Sequence, residues 1–349
     1  MSLVLASAIL VHGALAQAVD RLLTARGFSG AVIVERHDEV VLERGYGWAD
    51  RDRKVPFTTT TIAQIGSLTK QFTAAAIVEL AEEKKLDLSD PISKYLAAVP
   101  TQSAGITIEQ LLTHTSGLVS DCGEDFDRVT KRDLVHRCLT KLRNPPGTQF
   151  FYSDLGYSVL AAIVESVTGR SYDDVVRERF LEPLHMRRTG TFFNAPLRPQ
   201  QALGYKDSSA IPPISERLAK LGGDDWDLKG NGGMEASSLD MYAWFRALAY
   251  PSPIPAPVRQ KLWTPHARRD SEVEYGYGWF IRRNAAGEIE QVSHTGSDGV
   301  FYAAIVWRPK ERVFFYLVTN CGEQQGATAA SDVLKTVKSL GGFDKIPAQ

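Results

Sequence analysis

The chain has 349 residues, 44% of them hydrophobic and 23% charged, and its 40 basic residues against 41 acidic ones leave a formal net charge of −1. Such length and composition belong to a globular protein with a large buried core and exclude a disordered chain. Balanced charge without any basic run excludes a phosphate backbone as partner, so no nucleic acid is expected.

From the amino end, residues 3–16 are mostly apolar and close on Ala14-Leu15-Ala16, the small-x-small pattern that precedes signal cleavage. Met1-Ser2 supplies no Lys or Arg, and the other reading of 1–16 is the start of a helix from Leu3 through Arg26. Export is the preferred reading, which makes the expected location periplasmic or secreted, and cytoplasmic otherwise. The stretch is too short for a secure membrane span, and no other segment approaches the roughly 20 apolar residues that one requires.

Gly30 to Arg36 and Val40 to Gly47 are β-rich runs separated by His37-Asp38-Glu39, the pattern of a hairpin. Ile65 to Lys85 then reads as one long helix, apolar on most faces and therefore buried between layers. Near its start Ser67 and Lys70 stand three apart, which on a helix puts a hydroxyl and an amine on one face. Asp87-Leu88-Ser89-Asp90-Pro91 ends that helix, and Pro91 suits the first turn of a short one after it.

From there to about residue 235 the pattern is helical and rich in loops, punctuated at Pro145-Pro146-Gly147, Gly169 and Pro212-Pro213, with no strand pair evident. Ser237-Ser238-Leu239-Asp240 opens a helix over Met241 to Leu248. Past Tyr275 the chain is β-rich again, in Tyr277–Ile281, Val300–Trp307 and Val313–Thr319. The expected fold class is α/β: a mainly antiparallel sheet from residues 17–85 plus 236–349, flanked by helices, with 86–235 inserted as a mainly helical, all-α region. An active-site cleft is expected between the two parts.

Cys122, Cys138 and Cys321 are too few and too scattered for a disulfide scaffold, and no Cys-x-x-Cys or His-rich spacing points to a metal. Neither a metal nor any other cofactor is expected. Cys122 and Cys138 could pair in an exported chain; three unpaired thiols is the preferred reading.

A serine hydroxyl becomes a useful nucleophile only when a base poised near working pH takes its proton. Bringing a lysine from about 10.4 to near 7 costs about 4 kcal/mol, which burial and a helix N-terminus could supply. Two later stretches keep Ser67 and Lys70 company. Pro146 to Tyr157 carries Tyr152-Ser153-Asp154 on a loop just ahead of a helix over Ser158 to Thr168, and Ser293-His294-Thr295-Gly296-Ser297-Asp298-Gly299 sits just before a late strand.

Ser-x-x-Lys, a Tyr-x-Asn-like element and a Lys-Thr-Gly-like element, in this order, resemble the penicillin-recognising serine hydrolases. That superfamily holds class C β-lactamases, D-alanyl-D-alanine carboxypeptidases and related esterases. Leu111 to Leu118 and Asn231-Gly232-Gly233-Met234 are similar to further stretches of the class C-like branch, so the resemblance covers nearly the whole chain. It implies the β-lactamase/transpeptidase-like fold, Ser67 as the nucleophile that is acylated, Lys70 as its base or charge partner, and Tyr152 as the proton shuttle to the leaving group. It also implies an oxyanion hole from the backbone N–H groups of Ser67 and Ser297, worth on the order of 3 kcal/mol each, and substrate contacts from Asp154, His294, Thr295 and Gly296.

Two residues depart from the family pattern. Asp154 stands where Asn is usual, which turns a donor into an acceptor-only carboxylate and favours a charged Lys70, moving the base role toward Tyr152. His294 replaces the Lys of Lys-Thr-Gly and anchors a substrate carboxylate less well. His114 is read as structural, since its surroundings resemble a turn of the family and a Ser-His-Asp triad would leave Lys70 and Tyr152 unused.

The expected activity is that of a serine hydrolase acting through an acyl-enzyme on an amide or ester, with a D-amino-acid peptide or small ester as substrate. The alternatives are a class C-type β-lactamase and, from another class, a catalytically silent penicillin-binding or assembly protein. Specificity is expected in the loops Ser120–Arg143 and Pro196–Asp227, and oligomeric state stays open.

Overall fold

Strands that are apolar on both faces make up the centre of the molecule. The computed structural model describes residues 2–123, 128–191, 200–207, 209–220, 222 and 225–341, with the side chains of 2–12, 340 and 341 set aside. Strand β1 (Gly30–Arg36) is buried along almost its whole length. It pairs antiparallel on one side with β2 (Glu39–Tyr46), as the hairpin pattern predicts, and on the other with the last strand of the sheet.

Six further strands come from the carboxyl-terminal part: β3 (Ala267–Arg268), β4 (Glu274–Tyr275), β5 (Phe280–Arg283), β6 (Ile289–Ser297), β7 (Tyr302–Arg308) and β8 (Val313–Thr319). Their order is β3-β4-β5-β6-β7-β8-β1-β2, and every neighbouring pair is antiparallel. The sheet is therefore drawn from both ends of the chain, in register Gly30↔Thr319 where the halves meet.

Helices that cover the sheet or border the site are α1 (Ser2–Ala25), α2 (Thr69–Glu82), α3 (Asp154–Thr168), α4 (Ser238–Ala249) and α5 (Glu323–Gly341). Side chains alternate along a strand, so Val32 and Val34 of β1 face one layer while Ala31 and Ile33 face the other. On the first face, Leu15, Val19 and Leu23 of α1 join Ala329, Val333 and Val337 of α5. On the second, Phe245 of α4 stacks on Phe314 at 4.0 Å, and Phe72 of α2 stacks on Trp244 at 4.3 Å. Helix α2 thus lies within the core, as its all-round apolar character predicts.

Residues 2–25 form a helix. Among the described residues, no helix is long and apolar enough to cross a membrane. Helix α5 has no counterpart among the predicted elements, although Ala329, Ala330, Val333 and Val337 line one face of it.

Several boundaries differ from expectation for local reasons. The helix expected from Ile65 begins with a separate 3₁₀ turn, Gly66–Leu68, because Gly66 adopts φ +51° and Thr69 Oγ1 donates to the Gly66 carbonyl at 2.7 Å. Residues 86–235 do contain strands: Gly204–Lys206 pairs with Ser209–Ile211, and Thr189–Gly190 joins Glu235–Ser237, which pairs in turn with Ile62–Gln64. These ladders are too short for period-two patterning to register. The His294-Thr295-Gly296 segment lies ahead of β7, as expected, and is itself part of strand β6.

Cys122 and Cys138 form a disulfide, contrary to the preferred reading of unpaired thiols, with Cα atoms 5.1 Å apart. The bridge closes the loop Ser120–Arg143, of which residues 124–127 lie outside the described residues. Replacing Cys138 by Ser should lower the unfolding free energy by about 2–4 kcal/mol, read as the midpoint of urea denaturation without reductant. An unchanged midpoint would mean that the loop is held by its other contacts alone.

Candidate active site

Two helix N-termini converge on one amine. Lys70, the second residue of α2, has no solvent exposure, and its Nζ reaches Ser67 Oγ at 3.0 Å, the carbonyl oxygen of Asn231 at 2.9 Å, and Asp154 Oδ1. Asp154 is the first residue of α3, whose cap Ser153 accepts the Gly156 N–H at 3.1 Å. A carboxylate there gains from the positive end of the helix dipole, whereas an ammonium in the first turn of α2 does not. Burial accordingly pushes the pKa of Lys70 down, while the Asp154 carboxylate, and Asp121 more weakly, push it back up.

The partners of Lys70 fix the direction of proton exchange. Asn231 offers a carbonyl oxygen and Asp154 a carboxylate, and both only accept. Of the hydrogens on Nζ, the one aimed at the Ser67 hydroxyl is therefore the one that can be exchanged, and loss of it leaves the lone pair facing Oγ.

Tyr152 closes the group on the other side. Its ring lies under Nζ, 4.9 Å from centroid to nitrogen. Burial and the Asp154 charge raise its hydroxyl well above the usual tyrosine pKa, and the hydrogen bond with Ser67 only partly offsets them. A phenolate is disfavoured, so the expected transfer of the base role from Lys70 to Tyr152 runs against the electrostatics of the site.

Strand β6 forms the facing wall. A Cβ on Gly296 would lie 2.0 Å from the Ile65 carbonyl oxygen and 2.8 Å from the Ser67 nitrogen, and one on Gly66 would lie 2.6 Å from the Ser297 nitrogen. Two glycines back to back thus allow the Ser67 turn and β6 to touch, with the Ser67 and Ser297 amides side by side at the mouth. Ser297 Oγ donates to Glu323 at 2.9 Å, and Thr295 is exposed on the same strand.

His294 is buried, with Nδ1 2.7 Å from the Thr295 carbonyl oxygen and Nε2 3.3 Å from the Tyr275 hydroxyl. Burial and the neighbouring Lys70 push its pKa down to about 3, so the ring is neutral throughout the working range. The structure brings Ser67, Lys70, Tyr152 and Asp154 into one contact group, sets Gly296 and Ser297 against it, and turns both nitrogens of His294 toward protein. Sequence reasoning missed the Asn231 carbonyl, which no side chain advertises, although its Asn231–Met234 stretch had been singled out. Asp121, in a loop without a motif, carries no signal. Among the described residues, no cluster of acidic, histidine or cysteine side chains could hold a metal.

A family model described as Beta-lactamase matches residues 15–337. The chain belongs to that family. It has the β-lactamase/transpeptidase-like fold, and solved relatives agree over most of its length. The octameric penicillin-binding protein homologue from Pyrococcus abyssi aligns with a TM-score of 0.78 and 27% identity, covering 94% of this chain and 77% of that one. The penicillin-binding protein from Bacillus halodurans aligns with a TM-score of 0.76 and 25% identity over 92% of this chain and 98% of that one. Among curated sequences, the putative penicillin-binding protein PbpX of Bacillus subtilis is 32% identical over 268 residues, 76% of this chain and 65% of its own length. Protein flp of Staphylococcus aureus is 29% identical over 310 residues, 84% of this chain, which spans 60% of that relative.

The glycine contact gives a direct test of the β-lactamase-family wall. Gly296→Ala should cut the rate of Ser67 acylation by about 100-fold, measured by fluorophosphonate labelling. Gly232→Ala, where a Cβ would meet only Leu228 at 3.7 Å, should leave it unaffected.

Proposed function

We propose that the protein is a serine hydrolase that cleaves an amide or ester through an acyl-enzyme on Ser67. The observation that carries this reading is the set of contacts of Lys70 Nζ, in which the only partner able to give up a proton is the Ser67 hydroxyl. In acylation, Ser67 Oγ attacks the substrate carbonyl as its proton passes to the Lys70 amine, and the tetrahedral oxygen is held by the Ser67 and Ser297 amides. The high-pKa phenol of Tyr152 then donates its proton to the leaving amine or alcohol and is reprotonated from Lys70. Water repeats the sequence in reverse to free the acid.

The charge of the site supports a substrate class. With His294 neutral and Asp154 and Asp121 beside Lys70, neither His294 nor Lys70 offers an uncompensated positive charge to a carboxylate next to the scissile bond. Small esters and capped D-amino-acid peptides therefore fit better than β-lactams or carboxyl-ended peptides. The names of the relatives favour a second reading, slow acylation by penicillins. Intact Ser67, Lys70 and Tyr152 speak against a silent binding protein. The Cys122–Cys138 bridge supports a site of action outside the reducing cytosol.

Incubation with a fluorophosphonate followed by mass spectrometry should find one adduct, on Ser67, absent in Ser67→Ala. An unmodified serine after both fluorophosphonate and penicillin would favour the non-enzymatic reading. In a panel of p-nitrophenyl esters, nitrocefin and D-alanyl peptides, uncharged esters should lead by about tenfold or more in kcat/KM, the worth of one charged hydrogen bond. Fast nitrocefin turnover would assign the β-lactamase activity instead.

Asp154→Asn removes the charge that holds Lys70 protonated, so the free amine should persist to lower pH. The acid limb of the acylation rate should move down by about one pH unit or more, followed by stopped-flow release of p-nitrophenol. An unmoved limb would break the proposed coupling.

A further inference from the structure

Resting on the hydrolase reading above, we propose that His114 is a positioning residue that clamps the Phe151-Tyr152-Ser153 backbone on both sides of Tyr152 and backs its ring, holding the phenol against Ser67. The Phe151 N–H donates to the His114 carbonyl at 2.8 Å, and the Ser153 N–H donates to His114 Nδ1 at 3.1 Å. Both neighbours of the tyrosine are thus hydrogen-bonded to one residue, through its backbone and its side chain. The imidazole also lies along the phenol, with centroids 4.2 Å apart and planes 31° from parallel. Tyr157 and Tyr275 enclose the same imidazole at 5.1 and 4.7 Å.

Two costs mark the arrangement as specific. His114 holds φ +57°, a left-handed conformation that few residues other than glycine adopt. Because Nδ1 accepts, the ring proton sits on Nε2, which is buried and has no hydrogen-bond partner, a loss that ordinary packing avoids. Leucine in this place would fill the volume, yet it would offer no acceptor to Ser153. Burial, with Lys70 and His294 nearby, also keeps the ring neutral, so the acceptor persists across the working pH range. The titratable groups facing it are Lys70, Tyr152, Tyr157, Tyr275 and His294, and none of them accepts a hydrogen bond from Nε2–H.

A displaced phenol harms the step that needs its proton. Departure of an alkoxide needs an acid, whereas p-nitrophenolate leaves without one. His114→Leu should therefore lower the acylation rate, read as kcat/KM, by about 100-fold for an ethyl ester and by less than about tenfold for the matching p-nitrophenyl ester, the deacylation step being common to both. His114→Asn tolerates positive φ and can place Oδ1 where Nδ1 stood, so it should recover both rates to within about fivefold. His114→Gln sets its acceptor one atom further out and should behave as leucine does; should the leucine variant not fold, the Asn and Gln pair carries the comparison.

Equal losses on both esters, or an asparagine variant as impaired as glutamine, would overturn the proposal and leave His114 a packing residue. Wild-type turnover abolished by Ser67→Ala tests the hydrolase reading separately, and its absence would remove both.

Discussion

A lysine amine sealed from solvent must direct every hydrogen it carries at an acceptor, because a buried ammonium without partners is far too costly. In this chain that requirement organises the site. Lys70 sits at the head of α2, within hydrogen-bond reach of Ser67, the Asn231 carbonyl and Asp154, and no two of these partners share an element. Satisfying Nζ therefore brings together a 3₁₀ turn, the turn before Met234 and the head of α3. The same residues lock further: Thr69 Oγ1 accepts the Met234 N–H at 3.2 Å, and the Ile65 N–H donates to the Met234 carbonyl at 3.1 Å. The serine is held where the lysine is held, so the hydroxyl and the amine are positioned by one set of bonds.

What the sequence disclosed follows from the range of each interaction. Ser67 and Lys70 are neighbours in the chain, so their proximity needs only local geometry, and the buried character of α2 is written in its apolar faces. The continuous apolar runs of β1, β7 and β8 are long enough to declare a sheet from both ends. Tyr152 and Asp154 could be joined to the pair only through the resemblance of their motif, since nothing local ties residue 154 to residue 70. The Asn231 carbonyl and the contact across Gly66 and Gly296 are backbone features, and a backbone atom leaves no mark on residue type except where glycine is required. His114, read as structural, offers a lone pair to the Ser153 N–H, a contact that no pattern of side chains reveals.

The electrostatics divide the labour between the groups. Tyr152 has its pKa raised by burial and by Asp154, while Lys70 is lowered by burial and raised by the same carboxylate. Asp154 thus acts on both, keeping the phenol protonated and limiting how far the amine can fall. On the proposed reading, a neutral phenol and a partly suppressed ammonium hold acid and base on different residues before substrate arrives, which is the arrangement that proton transfer in opposite directions requires.

Against that background the two departures from the family pattern read as one compensated change. With Asn at 154 and Lys at 294, the site would carry two cations around Ser67, one of them Lys70. Here Asp154 cancels Lys70, and the residue at 294 is a buried imidazole whose nitrogens meet the Thr295 carbonyl and the Tyr275 hydroxyl. A lysine in that enclosed position would place a second ammonium near the first, with the Tyr275 hydroxyl and a carbonyl as its acceptors, and like charges in a dry site repel strongly. Neutrality at 294 and the carboxylates of Asp154 and Asp121 offset the one ammonium beside Ser67. On the proposed reading the attraction for an anionic substrate is given up, and shape, the Ser67 and Ser297 amides and the aromatic wall of Tyr152, Tyr275 and Phe280 hold the substrate.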